Sequence, residues 1–345
     1  MDRRGFLKTT SAVAASVAAS ATAAATAEPA ATAIQPGITR VILATSWAPD
    51  APGFSAQRLV QRIETVSDGR IAIEIAADAN ARDQADLTFG SVHDHTLYHP
   101  AFAFFAGLPG AQSIDAPRLS AWLAIGGGQM LWDELAAGFG IKPLLAGHTG
   151  PSTGLWSNRA LEALSDLTGA RIFAAGLAGD VLRTLGADAI EIAPQDLRTA
   201  LGDGRIDAAE WLGPLAAVAP DLRPLAERLY TTAGLTRNGM ALALTVRKDL
   251  WDRMNTAQQA IFETCAAAEY QAALVELHAH GLPDRHVTAQ ARQLPLAREI
   301  VLAVDRAASD AVKRLADVDP ISQRIADSYN AFRELMTASQ DTATA

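Results

Sequence analysis

Residues 166–214, DLTGARIFAAGLAGDVLRTLGADAIEIAPQDLRTALGDGRIDAAEWLGP, decide the fold. Residues 170–174 are a short apolar run behind a Gly turn and read as a buried strand. Gly176 breaks it. Residues 177–185 carry apolar side chains at helical spacing and stop at Gly186. A second strand follows over 187–192, then a short helix over 195–201 ended by Gly202. A third strand over 206–211 runs into Glu210-Trp211. Strands that alternate with short helices build a parallel sheet, and ligands then sit beyond the carboxyl ends of the strands. Glu210 and Trp211 stand at such an end.

Working outward, 345 residues at 49% hydrophobic suffice for one large core or two lobes. The formal net charge is −9. An acidic chain gains nothing from counterion release on a polyphosphate, which argues against a nucleic-acid partner. Cys265 is the single cysteine, so no intrachain disulfide exists and export cannot be read from cysteines. It is read from the N-terminus. Arg3-Arg4-Gly5-Phe6-Leu7-Lys8 has the form of a twin-arginine signal, an Ala-rich run follows over 12–25, and small residues at 25–27 suit cleavage. Residues 1–27 are therefore expected to be a signal peptide and the mature chain periplasmic. The bland alternative is a disordered Ala/Thr tail. No stretch of the mature chain is long and apolar enough to span a bilayer.

Upstream of the deciding stretch, 41–47 is a strand. Ser55 caps a helix over 56–66, whose Leu59, Val60 and Ile63 share a face. Residues 67–70 turn into a strand over 70–76. Residues 92–100, VHDHTLYHP, place His93, Asp94 and His95 together. They read either as a metal or anion site or as a polar loop, and in an extended segment only His93 and His95 could share a face. Residues 100–110 are apolar and loop-like. Gly126-Gly127-Gly128 lacks the Lys-Ser/Thr of a phosphate loop and reads as a helix break. A strand over 142–147 leads through 148–154 to another over 155–158. Downstream, 239–247 is a returning strand. Asn255 or Thr256 caps a long helix to about 280, long enough to brace both lobes. Helices over 296–315 and 321–335 precede a polar tail expected to fray after 338.

DLxGxRI, LGA and AL..G.IDAAEW.GP form one linked pattern that resembles the solute receptors of tripartite ATP-independent periplasmic (TRAP) transporters, the dicarboxylate-binding-protein family. The nearest subgroup binds 2-oxo acids and related monocarboxylates, and the likeness covers most of 41–335. It implies an α/β, two-lobed periplasmic-binding-protein-like fold with a hinge and long C-terminal bracing helices. One lobe is expected from 41–150 plus 240–275, the other from 151–239 plus 276–337. It also implies capture of a small organic acid, delivery to TRAP membrane subunits, no catalysis, and a monomer or dimer.

The resemblance also assigns positions. Trp211 and Glu210 line the site, with Glu210 near a cation when one accompanies the ligand, and there is no other cofactor. Ser152 falls where the subgroup has a Gln. His93, Asp94 and His95 fall where the family has cleft aromatics. The segment before them is shorter than usual, which reshapes one wall. The arginine that clamps the substrate carboxylate in the family is replaced by Phe173, able to stack on an apolar group. Two residues stand as substitutes: Arg171, on the same strand face as Phe173 and otherwise a surface residue, and Arg237, near a ligand-facing position in the loop over 233–239 and otherwise a solvated turn arginine. Two other functional classes stay open. One is a receptor repurposed for sensing or for a non-carboxylate ligand. The other is a metal-dependent periplasmic enzyme that would use the 93–95 cluster.

Overall fold

Ser55 opens the first helix as expected: its hydroxyl accepts the Arg58 backbone N–H at 3.0 Å. The computed structural model describes residues 38–45, 49–50, 54–76, 84–152, 154–174, 176–192, 196–210, 225–230, 238–280 and 292–343. The first run of elements is β1 (Thr39–Thr45), α1 (Ala56–Val66), β2 (Ile71–Ile75), β3 (Leu87–Ser91), α2 (Ala103–Ala106), α3 (Ala116–Ile125), α4 (Gly128–Ala137) and β4 (Ile141–His148). The chain then crosses into β5 (Leu155–Ser157), β6 (Arg171–Phe173), α5 (Gly176–Thr184), β7 (Asp188–Ile190), α6 (Leu197–Gly202), β8 (Ala208–Glu210) and β9 (Arg228–Tyr230). It returns through β10 (Ala241–Arg247), α7 (Lys248–Arg253) and α8 (Thr256–His280), and ends with β11 (Arg292–Leu294), α9 (Arg298–Ala316) and α10 (Pro320–Ala343).

Two sheets result. The first has the order β2-β1-β3-β10-β4, with β10 antiparallel to both β3 and β4. The second has the order β11-β9-β5-β8-β6-β7. Its β7-β6-β8 core is parallel, as the deciding stretch requires. Strand alternation deals side chains to the two faces of each sheet. Along β10, Leu242, Leu244 and Val246 enter a core shared with α1 and α8, while Ala241 and Ala243 face an aromatic core around Phe105, Trp122 and Trp132. Likewise Leu155 and Ile172 join α5 and α9, whereas Trp156 and Ala209 join α6. Both sheets are thus clad on both faces, the packing that an α/β chain needs to bury its strands.

Several expectations are corrected. Residues 100–106 are not a loop. They form 3-10 and α turns in which every residue from Ala101 to Ala106 is buried, because aromatic packing supplies what turn propensity does not. Of the two capping candidates, Asn255 is the one that caps α8, which starts at Thr256. It exchanges bonds with Gln258, whose backbone N–H reaches Asn255 Oδ1 at 2.9 Å while the Asn255 N–H reaches Gln258 Oε1 at 3.0 Å. The helix that braces both lobes is α9 rather than α8. Ile300, Val304 and Ala308 of α9 are buried in the second lobe, and Val312, Leu315 and Ala316 in the first. By contrast, Phe262, Cys265 and Ala266 of α8 pack only in the first, where buried Glu269 also accepts from Arg58 Nε at 2.9 Å. Tyr329 and Phe332 place α10 in the first lobe's aromatic core as well, although the sequence groups it with residues 151–239. The backbone of α10 stays helical to Ala343 instead of fraying after 338, anchored by that same core. Gly126–Gly128 is a helix break: side chains at Gly126 or Gly128 would collide with the Trp122 ring, 2.8 Å away in each case.

Candidate functional site

The second sheet's register builds one edge. Phe173 pairs with Ala209, Leu155 pairs with both Glu210 and Tyr230, and β6 and β8 run parallel. The carboxyl ends of β6 and β8 therefore lie beside the start of β5. Phe173 and Glu210 stand on neighbouring strands at that edge, and Ser152 lies just ahead of β5. Glu210 is 5% exposed, and Phe173 is half-buried, leaning on the core around Trp156 and Leu229. Ser152 Oγ accepts the Gly154 N–H at 3.1 Å, so it is turned into its own loop.

The first lobe reaches this edge through the 3-10 helix Val92–Leu97. Ser91 caps it by accepting the His93 N–H at 3.2 Å, and Thr96 Oγ1 donates to the His93 carbonyl at 2.7 Å. The His93 imidazole lies on Gly176, the first residue of α5. His95 turns the other way. It is buried, its Nε2 is 3.3 Å from Thr245 Oγ1 of β10, and its ring meets Phe102 edge-on at 5.3 Å. Half-buried Asp94 sits between them in the chain. The expectation that His93 and His95 could share a face assumed extended backbone. A 3-10 turn advances about a third of a turn per residue and sends them apart. The described residues contain no group of three or more His, Cys, Asp or Glu able to hold a metal ion, and the 93–95 cluster is split between a lobe contact and a core.

Arg171 is not brought to the site. It opens β6 at the opposite end from the edge, and its guanidinium engages Asp207 through Nη2–Oδ1 at 2.5 Å and Nε–Oδ2 at 3.2 Å. Trp211 and Arg237 lie outside the described residues.

The crossings between the lobes supply residues that the sequence did not mark. The Thr149 N–H donates to the Met240 carbonyl, and the Met240 N–H to Thr149 Oγ1, both at 2.8 Å. Gly239 has φ +83°, and a side chain there would sit 2.6 Å from Thr149 Oγ1. Asn238 Nδ2 donates to Ser113 Oγ at 2.9 Å, tying the return crossing to the first lobe. His148, 1% exposed at the end of β4, accepts the Gly150 N–H on Nδ1 at 3.0 Å. Burial pushes its pKa down to about 4, so this hinge imidazole is neutral at neutral pH. A lone His before a Gly-Pro reads as a loop residue, and only the fold shows it buried. Gly176 was visible as a strand break, but nothing in the sequence links it to His93.

Two lobes, joined by more than one crossing of the chain and meeting at the carboxyl edge of a parallel sheet, are the geometry of a ligand-binding cleft. Residues 43–281 match the family of bacterial extracellular solute-binding proteins, family 7. The chain belongs to this family. A family 7 protein is a solute-binding protein. Among similar proteins, the monocarboxylate 2-oxoacid-binding periplasmic protein of Nostoc sp. is 27% identical over 326 residues, covering 89% of this chain and 88% of its own. A TRAP periplasmic solute-binding protein of Colwellia psychrerythraea, solved with bound calcium and pyruvate, superposes with TM-score 0.82 at 23% identity, over 89% of this chain and 98% of that one. Its counterpart from Pseudoalteromonas atlantica, with sodium and pyruvate, gives 0.81 at 24%, over 89% and 97%. The family 7 fold is thus the two-lobed α/β architecture expected from the sequence. Among the described residues no helix is long and apolar enough to cross a membrane.

Proposed function

We propose that this chain captures a small monocarboxylate, a 2-oxo acid of pyruvate size, between its lobes and hands it to the membrane subunits of a TRAP transporter. The observation that carries this reading is the apposition of the His93 turn of the first lobe to the edge of the second sheet that holds Phe173 and Glu210. The acid is supported by the Nostoc relative and by the two pyruvate-bound structures. Glu210, a buried hard oxygen donor at a strand end, fits a sodium or calcium ion of the kind those structures carry. Such an ion would neutralise the carboxylate that the family's missing arginine no longer meets, and Arg237 would complete the charge from the return loop. Trp211, next in the chain after Glu210, would cover the ligand. The paired arginines at 3–4 would route the chain to the periplasm by twin-arginine export.

Phe173 favours a second reading: its ring occupies the arginine position and rests on a core, which suits a neutral ligand or a receptor turned to sensing. A thermal-shift screen decides between them. A 2-oxo acid at a hundred times its dissociation constant should add about 2.7 kcal/mol of stability. Calcium or sodium should increase the shift, Glu210→Gln should remove that cation dependence, and Trp211→Ala should abolish the shift. If no carboxylate moves the transition while a neutral compound does, the second reading replaces the first.

A further inference from the structure

We propose that His93 and Gly176 form a latch that sets how far the lobes close, the imidazole of one lobe docking in the notch left by a missing side chain on the other. The proposal rests on the reading of the chain as a receptor that closes over its solute. A Cβ built on Gly176 would collide with the Cε1 edge of the imidazole, 2.8 Å from Nδ1, 3.1 Å from Nε2 and closer still to Cε1. Those three ring atoms are its three nearest neighbours, so this ring is what a side chain at 176 would meet first.

Both partners are held. Gly176 has φ +54°, a conformation that disfavours any other residue, and its N–H donates to Glu191 Oε1 at 3.2 Å. The His93 backbone is fixed on one side by Ser91 Oγ and on the other by Thr96 Oγ1. A capped turn thus presents the ring at a set height, and a bonded glycine receives it. With the Gly176 N–H already engaged and the ring above it, this corner of the cleft is wall against wall. His93 is therefore a positioning residue for closure rather than a ligand group. It limits the closed cleft to small solutes, since a ligand that reached this corner would displace the ring and hold the lobes apart.

A double-mutant cycle tests the latch. Nitroxide labels at Gln61→Cys on α1 and Thr184→Cys on α5, both exposed, report the distance between lobes, and native Cys265 is buried away from the label. The parent should show a short-distance population that grows with pyruvate and calcium chloride. Gly176→Ala should remove that population and weaken pyruvate binding by about tenfold or more. Adding His93→Ala to the same chain should restore the short distance and bring affinity within about twofold of His93→Ala alone. Any strain from alanine at positive φ is carried by both Gly176→Ala chains. A double variant that stays as open as Gly176→Ala would therefore assign the defect to the backbone and overturn the latch, as would a Gly176→Ala chain that closes like the parent. A parent that never populates the short distance overturns it too. A parent that closes but takes no pyruvate refutes only the carboxylate reading, because the four label distances without pyruvate still decide the latch.

Discussion

The two sheets differ in how much of themselves they specify. In the first, β1 and β10 have seven residues and β4 eight; in the second, every strand has three. A long strand alternates often enough to feed two cores and cannot slip without turning both inside out. A three-residue strand has little register of its own and is placed by its flanking helices, here α5, α6 and α9. The first lobe is accordingly a scaffold. The second is a set of short strands, with Phe173 and Glu210 at the carboxyl ends of β6 and β8. Functional groups hang where the regular structure stops, on loops held by a rigid frame.

The sharpest way to break that contrast is to attack a fully buried aromatic of the scaffold. Phe105 stacks between Trp122 and Trp132, with centroids 5.1 and 5.2 Å away. Phe105→Ala should cost roughly 3–5 kcal/mol in urea denaturation. A loss under about 1 kcal/mol would mean that the first lobe is no more tightly specified than an exposed surface.

The joint between the lobes gives the next largest effect. His148 has its pKa depressed to about 4 in the fold, so between the unfolded value and about 4 the unfolded chain binds the extra proton. Stability that is full at neutral pH should fall as pH drops through this window, by about 3 kcal/mol in all, and this contribution should flatten below it. His148→Asn keeps an acceptor for the Gly150 N–H, as in an Asx turn, without titrating. It should remove this part of the slope, and equal slopes in parent and variant would show that the hinge imidazole is not the titrating group.

The smallest effect is expected at Arg171. Its guanidinium is committed to Asp207 at the far end of β6, so Arg171→Ala should change pyruvate affinity by no more than about twofold. A loss of tenfold in a calorimetric titration would return this arginine to the cleft and blur the division between scaffold end and site end.

Much of this was legible from residue patterns. The alternation of short strands and helices over 166–214 gave the parallel β7-β6-β8 core, and Ser55 and the glycines at 126–128 marked helix ends, because caps and breaks act within a few residues. The pattern failed where partners are distant. His93 and His95 looked like neighbours on one face until a 3-10 turn separated them. Arg171 could be read as a cleft substitute or as a surface residue, and only its pairing with Asp207, at the far end of β6, separates the two. The bracing role went to α9 because its buried stripe is divided between two lobes, which periodicity along one helix does not reveal.

The sequence by itself determined the family, the α/β class, the parallel core and the strand end that carries Glu210, since these rest on local spacing and on one linked motif. Only the tertiary structure decided that His93 meets Gly176, that His148 is buried and neutral in the hinge, and that Arg171 is spent on Asp207. Each of these is a contact between segments far apart in the chain. Such contacts are selected by how two sheets and their helices pack, and packing follows from the sum of all buried side chains rather than from any stretch of them.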